Sequence, residues 1–283
     1  MSVRLLAVFG VGIVDPATPV VAADDPGLTR GDGCFEGCRV RTSADGHSAV
    51  DKLDAHLARM GRSAAALEIA FDDDAWRAFV LQTLAAWTEP GEWAMKLLLT
   101  RGAPGGAPTG LLTISPLPAN YPAQRRDGIA VITLPRGYAA DAFADAPWLL
   151  GGVKTLSYAV NMAAQREAAR READDVIFTS SEGLVLEAHT SSVVWLSGGT
   201  LHTTPQGPSG ILGGTTQALL FECAAAAGRP VVTAPATVAD LHAADSLWLI
   251  GSVRGPVDVV RLDGKPRGRD EARTAEIRAL CGF

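Results

Sequence analysis

The sequence predicts a mixed α/β chain of the α+β kind in two domains, and three observations carry that expectation. Segments with apolar residues at helical spacing are interleaved with short apolar runs of strand length. Two turn-forming clusters, Ser180-Ser181-Glu182-Gly183 and Ser197-Gly198-Gly199, separate such runs in the manner of hairpins. The 283 residues suffice for about two domains at roughly 100–200 residues each. The stretch 135–152 has no clear periodicity and carries Pro147 and Gly151-Gly152, as a linker or functional loop does. The expected division is a small N-terminal α/β domain over 1–134, an interdomain loop over 135–152 and a larger C-terminal α/β domain over 153–283.

In the first part, 5–9 and 34–40 read as strands. A helix over 51–67 lines up Leu53, Leu57, Met60, Ala64 and Leu67 on one stripe, with Asp51 near its start. A second helix covers 73–87; strands cover 93–100 and 111–117, around a Gly/Pro loop, and then 129–134. In the second part a helix runs from about 158 to 172. Strands 176–179 and 184–187 flank the first hairpin turn, and 193–196 and 200–203 the second. A helix over 216–227 opens after Gly213-Gly214, strands follow at 231–233, 247–250 and 257–262, and a helix over 270–280 comes last. At the N-terminus, Arg4 and the apolar residues after it have the outline of a secretory leader. Gly10, Gly12 and Asp15 interrupt that outline, so the reading is a strand, a turn at 14–16 and a second short strand at 20–23.

Composition removes several function classes. The net charge is −6 and no basic cluster stands out, so no nucleic-acid footprint is expected. No apolar run reaches the roughly 18 residues of a membrane helix. The five histidines show no metal-binding spacing, so no metal is expected. Four cysteines fit free thiols in a reducing, cytoplasmic compartment. Cys34 and Cys38, on one strand face about 13 Å apart, are too distant for a disulfide.

Four groups could carry chemistry. Lys154 lies between Gly151-Gly152 and an apolar helix, whose positive dipole end would slightly disfavour its charge; that suits a lysine acting as a neutral amine. Glu187 ends the apolar run Leu184-Val185-Leu186, where a carboxylate needs partners. Gly213-Gly214-Thr215-Thr216 opens a helix whose exposed N–H groups and two hydroxyls suit an anion. Arg59 sits at the edge of a buried helix face and can form a phosphate fork. Each has a plain alternative: a surface lysine, a solvated glutamate, a helix capped by Thr215, and an arginine whose stem covers apolar surface.

Their order adds more. Gly31-Asp32-Gly33-Cys34-Phe35-Glu36, His56-Leu57-Ala58-Arg59, Lys154 to Met162 (KTLSYAVNM), Glu187 and Gly214-Thr215-Thr216 together resemble the class IV aminotransferase family of pyridoxal-5′-phosphate (PLP) enzymes over most of the chain. The chain looks especially like actinobacterial members that act as 4-amino-4-deoxychorismate lyases. The resemblance implies a fold-type-IV, D-amino-acid-aminotransferase-like architecture, with the cofactor between two domains, and a homodimer. It implies that Lys154 holds the cofactor's aldehyde, that Glu187 binds the pyridine nitrogen, and that Arg59, Thr215, Thr216 and Ser252 hold the phosphate. Ser191 and Ser192 would form a polar wall near the cofactor, and Phe35 and Arg101 would meet the substrate, Arg101 through a carboxylate. The family often has Asn in place of Ser192 and Arg in place of Gln217, so Arg59 would carry more of the phosphate's neutralisation. The implied reaction gives 4-aminobenzoate and pyruvate. The alternative is transamination of D-amino acids or branched-chain amino acids, toward which Glu36-Gly37 leans.

Overall fold

The computed structural model describes residues 2–283. The chain divides into two compact units: residues up to Ala119 together with Val153–Tyr158, and Asn120–Gly152 together with Ala159–Phe283.

The first unit contains β1 (Leu5–Val8), β2 (Gly12–Val14), α1 (Pro26–Arg30), β3 (Gly33–Thr42), β4 (Ser48–Val50), α2 (Leu53–Ala66), α3 (Asp73–Ala85), β5 (Gly91–Thr100) and β6 (Thr109–Pro116). Its strands form one antiparallel sheet in the order β2-β1-β6-β5-β3-β4. The longest ladder pairs β3 with β5 from Gly33 opposite Thr100 to Thr42 opposite Gly91. Strand side chains alternate between faces, and Cys34, Glu36, Cys38 and Val40 of β3 are all buried. Leu57, Met60 and Ala64 of α2 are fully buried, the stripe that helical spacing predicts. Asp72 caps α3 by accepting from the Ala75 N–H, and Trp76 of that helix stacks on Phe9 at 5.0 Å between centroids.

One local expectation is corrected here. The second strand lies at Gly12–Val14, directly after the first, and not at 20–23. Gly10 and Gly12, at φ 77° and 103°, allow the early reversal. Asp51 does not cap α2; its carboxylate accepts from the Arg39 and Arg41 guanidinium groups, and Lys52 enters the helix in the left-handed region without a side-chain cap.

The second unit contains α4 (Tyr121–Asp127), β7 (Ile129–Pro135), α5 (Ala159–Arg170), β8 (Asp175–Thr179), β9 (Val185–Ala188), β10 (Ser192–Ser197), β11 (Thr200–Thr203), α6 (Thr215–Ala226), β12 (Val231–Thr233), α7 (Val238–Ala243), β13 (Ser246–Gly251), β14 (Gly255–Leu262), β15 (Lys265–Pro266) and α8 (Glu271–Leu280). The sheet order is β12-β11-β10-β13-β14-β7-β8-β9, with β15 beside β14. The pairs β11–β12, β14–β7 and β7–β8 are parallel. Gly198 and Gly199, both at positive φ, form the two-residue turn between Ser197 and Thr200, the geometry that matches strand twist. One apolar cluster joins Val194, Leu196, Leu201, Leu220, Trp248 and Ile277; another joins Ala164, Ala168, Val176, Phe178 and Leu186.

The unit boundaries differ from those read at 134 and 152. β7 belongs to the second unit because its backbone pairs with β8 and β14. Val153–Tyr158 belongs to the first because it adds to the edge of β3: the Phe35 N–H donates to Lys154 O at 3.0 Å, and the Leu156 N–H to Gly33 O at 2.9 Å. Strand pairing joins residues far apart in sequence, so a change of composition along the chain does not locate it. Among the described residues no helix is long and apolar enough to cross a membrane.

Trp248 is fully buried and its Nε1–H donates to Thr274 Oγ1 at 2.9 Å. Trp248→Ala is expected to lower the unfolding free energy by roughly 3–5 kcal/mol, read as a lower urea midpoint at unchanged slope.

Candidate active site

In the first unit, Lys154 lies on the extended edge segment, five positions before α5 begins at Ala159. It therefore does not face a helix dipole at a helix start, contrary to the sequence reading. Its Nζ is 4.5 Å from the centroid of Phe35 and 5.4 Å from that of Tyr158, and 3.4 Å from Tyr158 Oη. The two rings meet edge to face at 5.0 Å. The Lys154 backbone N–H donates to Ser63 Oγ on α2 at 3.2 Å. Backbone pairing to β3 on one side and to α2 on the other thus fixes the root of this amine, and two aromatic rings flank its tip.

Arg59 is buried and forks onto Glu36: Nε donates to Oε1 at 2.7 Å and Nη2 to Oε2 at 2.6 Å. His56 Nδ1 reaches the same carboxylate at 2.7 Å. Helical spacing places His56 and Arg59 on one face of α2, and strand alternation turns Glu36 toward it. Burial pushes the Glu36 carboxyl upward, but the Arg59 and His56 hydrogen bonds and charges outweigh it and hold the pKa at about 2. Burial holds His56 below its ordinary value despite Glu36, and its Nδ1–H donates to the ionised carboxylate. Burial, helped by Glu36, pushes the Cys34 thiol up to about 12; it is not a nucleophile. Glu36, read earlier only as part of a motif, is the missed residue here. Its signal was a carboxylate in register with Cys34, Cys38 and Val40.

Arg101 is engaged within the first unit. Its guanidinium pairs with Asp32 and donates to the carbonyls of Leu67, at 2.6 Å, and Glu68 at the end of α2. Those contacts tie a helix end to a sheet corner.

In the second unit, Gly214 is the N-cap of α6, and Thr215 is its first residue and not its cap. Thr215 Oγ1 lies 2.9 Å and Thr216 Oγ1 3.2 Å from Ser252 Oγ. Three hydroxyls therefore converge on a helix N-terminus, where backbone N–H groups and the dipole favour an anion. A Cβ at Gly214 would lie 2.2 Å from Ser192 Oγ, so a larger residue there would require that hydroxyl to turn away from the helix start. Ser191 Oγ accepts from Arg254 Nη2 at 3.3 Å. Glu187 is half-buried at the end of β9, and its Oε2 accepts from the Leu212 N–H at 3.1 Å. Gln217 is buried and uncharged where the sequence reading noted an arginine in relatives.

Taken unit by unit, the groups suit PLP: the first carries a lysine between aromatic rings, able to take an aldehyde, and the second a hydroxyl-lined helix start for a phosphate and an oriented carboxylate for a protonated ring nitrogen. The family profile for amino-transferase class IV matches residues 33–262. The bifunctional aminodeoxychorismate lyase / D-amino acid transaminase of Mycobacterium tuberculosis is 41% identical over 263 residues, 89% of each chain. The PLP-bound form of a hypothetical aminotransferase from Mycobacterium tuberculosis superposes with a TM-score of 0.92 at 39% identity, covering 98% of this chain and 97% of that one. A fold IV transaminase from Curtobacterium pusillum gives 0.90 at 40% identity over 99% of both chains.

The Glu36 cluster sets a pH signature. With its carboxyl held at about 2 in the folded state and near 4.3 unfolded, Glu36 contributes its full stability above pH ~4.3. That contribution is lost as pH falls toward 2. Glu36→Gln is expected to destabilise the protein by about 3 kcal/mol at pH 7, and the gap to the parent should close on acidification from pH 5. A gap independent of pH in urea titrations would contradict the ionised pair.

Proposed function

Because the chain belongs to the class IV aminotransferases, a family of PLP enzymes, we propose that it is a 4-amino-4-deoxychorismate lyase forming 4-aminobenzoate and pyruvate. Its similarity to the mycobacterial bifunctional enzyme carries this reading. Neither sequence hint about substrate decides the matter. Arg101, the proposed contact for a substrate carboxylate, is paired with Asp32, and Glu36 of the branched-chain-like Glu36-Gly37 pattern is buried against Arg59.

When bound, the cofactor supplies the electron sink for charge left by proton removal. Lys154 would hold its aldehyde and, as a free amine, would take the proton from the amine-bearing carbon of the substrate. Phe35 and Tyr158 restrict the directions open to that amine, and Phe35 also offers an apolar face to the substrate ring. Loss of enolpyruvate then leaves an aromatic product. Glu187, oriented by the Leu212 N–H, would keep the pyridine nitrogen protonated; a hydrogen bond to a charged group contributes roughly 1.5–3 kcal/mol. Thr215, Thr216 and Ser252 would hold the phosphate at the start of α6, with Ser191 and Ser192 as the polar wall. Arg59, whose charge Glu36 already balances in part, would add to the phosphate's neutralisation, as the family resemblance implies.

A second reading is transamination of D-amino acids, the other activity in the mycobacterial relative's name. There Lys154 would move the same proton, and water would release the carbon skeleton as a keto acid while the amino group stayed with the cofactor. A homodimer in the cytoplasm completes the proposal; four cysteines, none in a disulfide, suit a reducing compartment.

Purified protein should release 4-aminobenzoate and pyruvate from 4-amino-4-deoxychorismate. Turnover of D-alanine with 2-oxoglutarate, and none of the chorismate derivative, would replace the lyase reading with the second. Lys154→Ala should lose the absorbance band of bound PLP, and borohydride should tag the Lys154 peptide of the parent; a tag elsewhere removes Lys154 from its role. Glu187→Ala should keep some cofactor but lose about 10²-fold or more in turnover, measured at saturating PLP.

A further inference from the structure

The loop carrying Ser252 spans only three residues between β13 and β14, yet it is held from several directions. Arg125 donates from Nε to Arg254 O at 2.7 Å and from Nη2 to Val253 O at 2.9 Å. The Arg254 side chain turns inward, is 6% exposed, and donates from Nη2 to Asp175 Oδ2 at 2.6 Å. The same nitrogen lies 3.3 Å from Ser191 Oγ, and Nη1 lies 3.3 Å from Gln124 Oε1. Asp175 is fully buried at the start of β8, and its other oxygen receives His189 Nδ1 at 2.6 Å. The Asn161 side chain donates to His189 O at 2.6 Å. The network thus connects the loop to β8, α4 and α5.

A buried ion pair is weak evidence of stabilisation, because desolvating both charges offsets their attraction. What this one provides is a fixed place for the loop. Arg254 is two residues from Ser252, whose hydroxyl lies within hydrogen-bond distance of both Thr215 and Thr216. A three-residue loop cannot shift at Arg254 without moving Ser252 as well. Hydrogen bonds weaken steeply with such displacement.

We propose that the buried Arg254–Asp175 pair is a positioning device that holds the Ser252 hydroxyl against the start of α6 for the cofactor's phosphate. This rests on the reading that Thr215, Thr216 and Ser252 receive that phosphate. Arg254 itself touches neither substrate nor cofactor in this scheme.

The test compares the affinities of PLP and pyridoxal, which lacks the phosphate, for the full chain freed of cofactor. Arg254→Lys keeps the charge and loses the fork. The double variant Asp175→Asn/Arg254→Gln removes both charges together, so that no unpaired ion threatens folding. PLP affinity is expected to fall about tenfold in the double variant, the loss of one hydrogen bond to a charged group, and less in Arg254→Lys, while pyridoxal affinity holds. General loosening would weaken both ligands alike and overturn the proposal, as would an unchanged preference for PLP. Ser252→Ala separates the two levels. If it abolishes the preference while the Arg254 variants keep it, only the positioning role fails. If neither changes it, the phosphate assignment fails and the positioning role goes with it.

Discussion

The alternation of side chains along β3 is the constraint on which the first unit depends. Pairing with β5 over ten residues fixes which side chains point to which face. One face takes Cys34, Glu36, Cys38 and Val40 inward, where Glu36 meets His56 and Arg59 of α2. Phe35, one residue away, turns to the other side and lies under the Lys154 amine. A register slip of one residue would exchange the two sets, placing a phenyl ring against Arg59 and a carboxylate beside the lysine.

The second unit solves a different problem, which is to present donors without burying them unsatisfied. The first turn of α6 has backbone N–H groups with no partner inside the helix. Gly214 leaves room for Ser192, and the Thr215, Thr216 and Ser252 hydroxyls surround the helix start. Behind them, burial raises the Asp175 carboxyl's pKa, and the Arg254 charge and the His189 hydrogen bond more than reverse that, holding it at about 2. Both units therefore use an ionised, buried carboxylate to orient an arginine. In one the arginine is itself the phosphate candidate; in the other it anchors a loop that bears one.

Much of the architecture was legible in the residues. The stripe on α2, the strands on either side of the Gly198-Gly199 turn, and the opening of α6 after Gly213-Gly214 all lie where local pattern puts them, because each depends on neighbours a few positions away. Lys154, Glu187 and Thr215-Thr216 stand out by their order along the chain, which is a property of the sequence. The contacts that residues make across the fold do not. Nothing near Arg59 in sequence announces Glu36, and nothing near Arg254 announces Asp175, 79 positions away.

The sequence by itself determined the longer helices, most of the strands and the family, since periodicity and motif order are properties of the chain. Tertiary structure alone decided that Arg101 serves Asp32 and the end of α2, and that Val153–Tyr158 joins the edge of β3. It also decided that β7 sits between β8 and β14. The reason is physical: hydrogen bonds and ion pairs form between groups that folding brings within about 3 Å, and side-chain identity says what can pair but not which partner arrives.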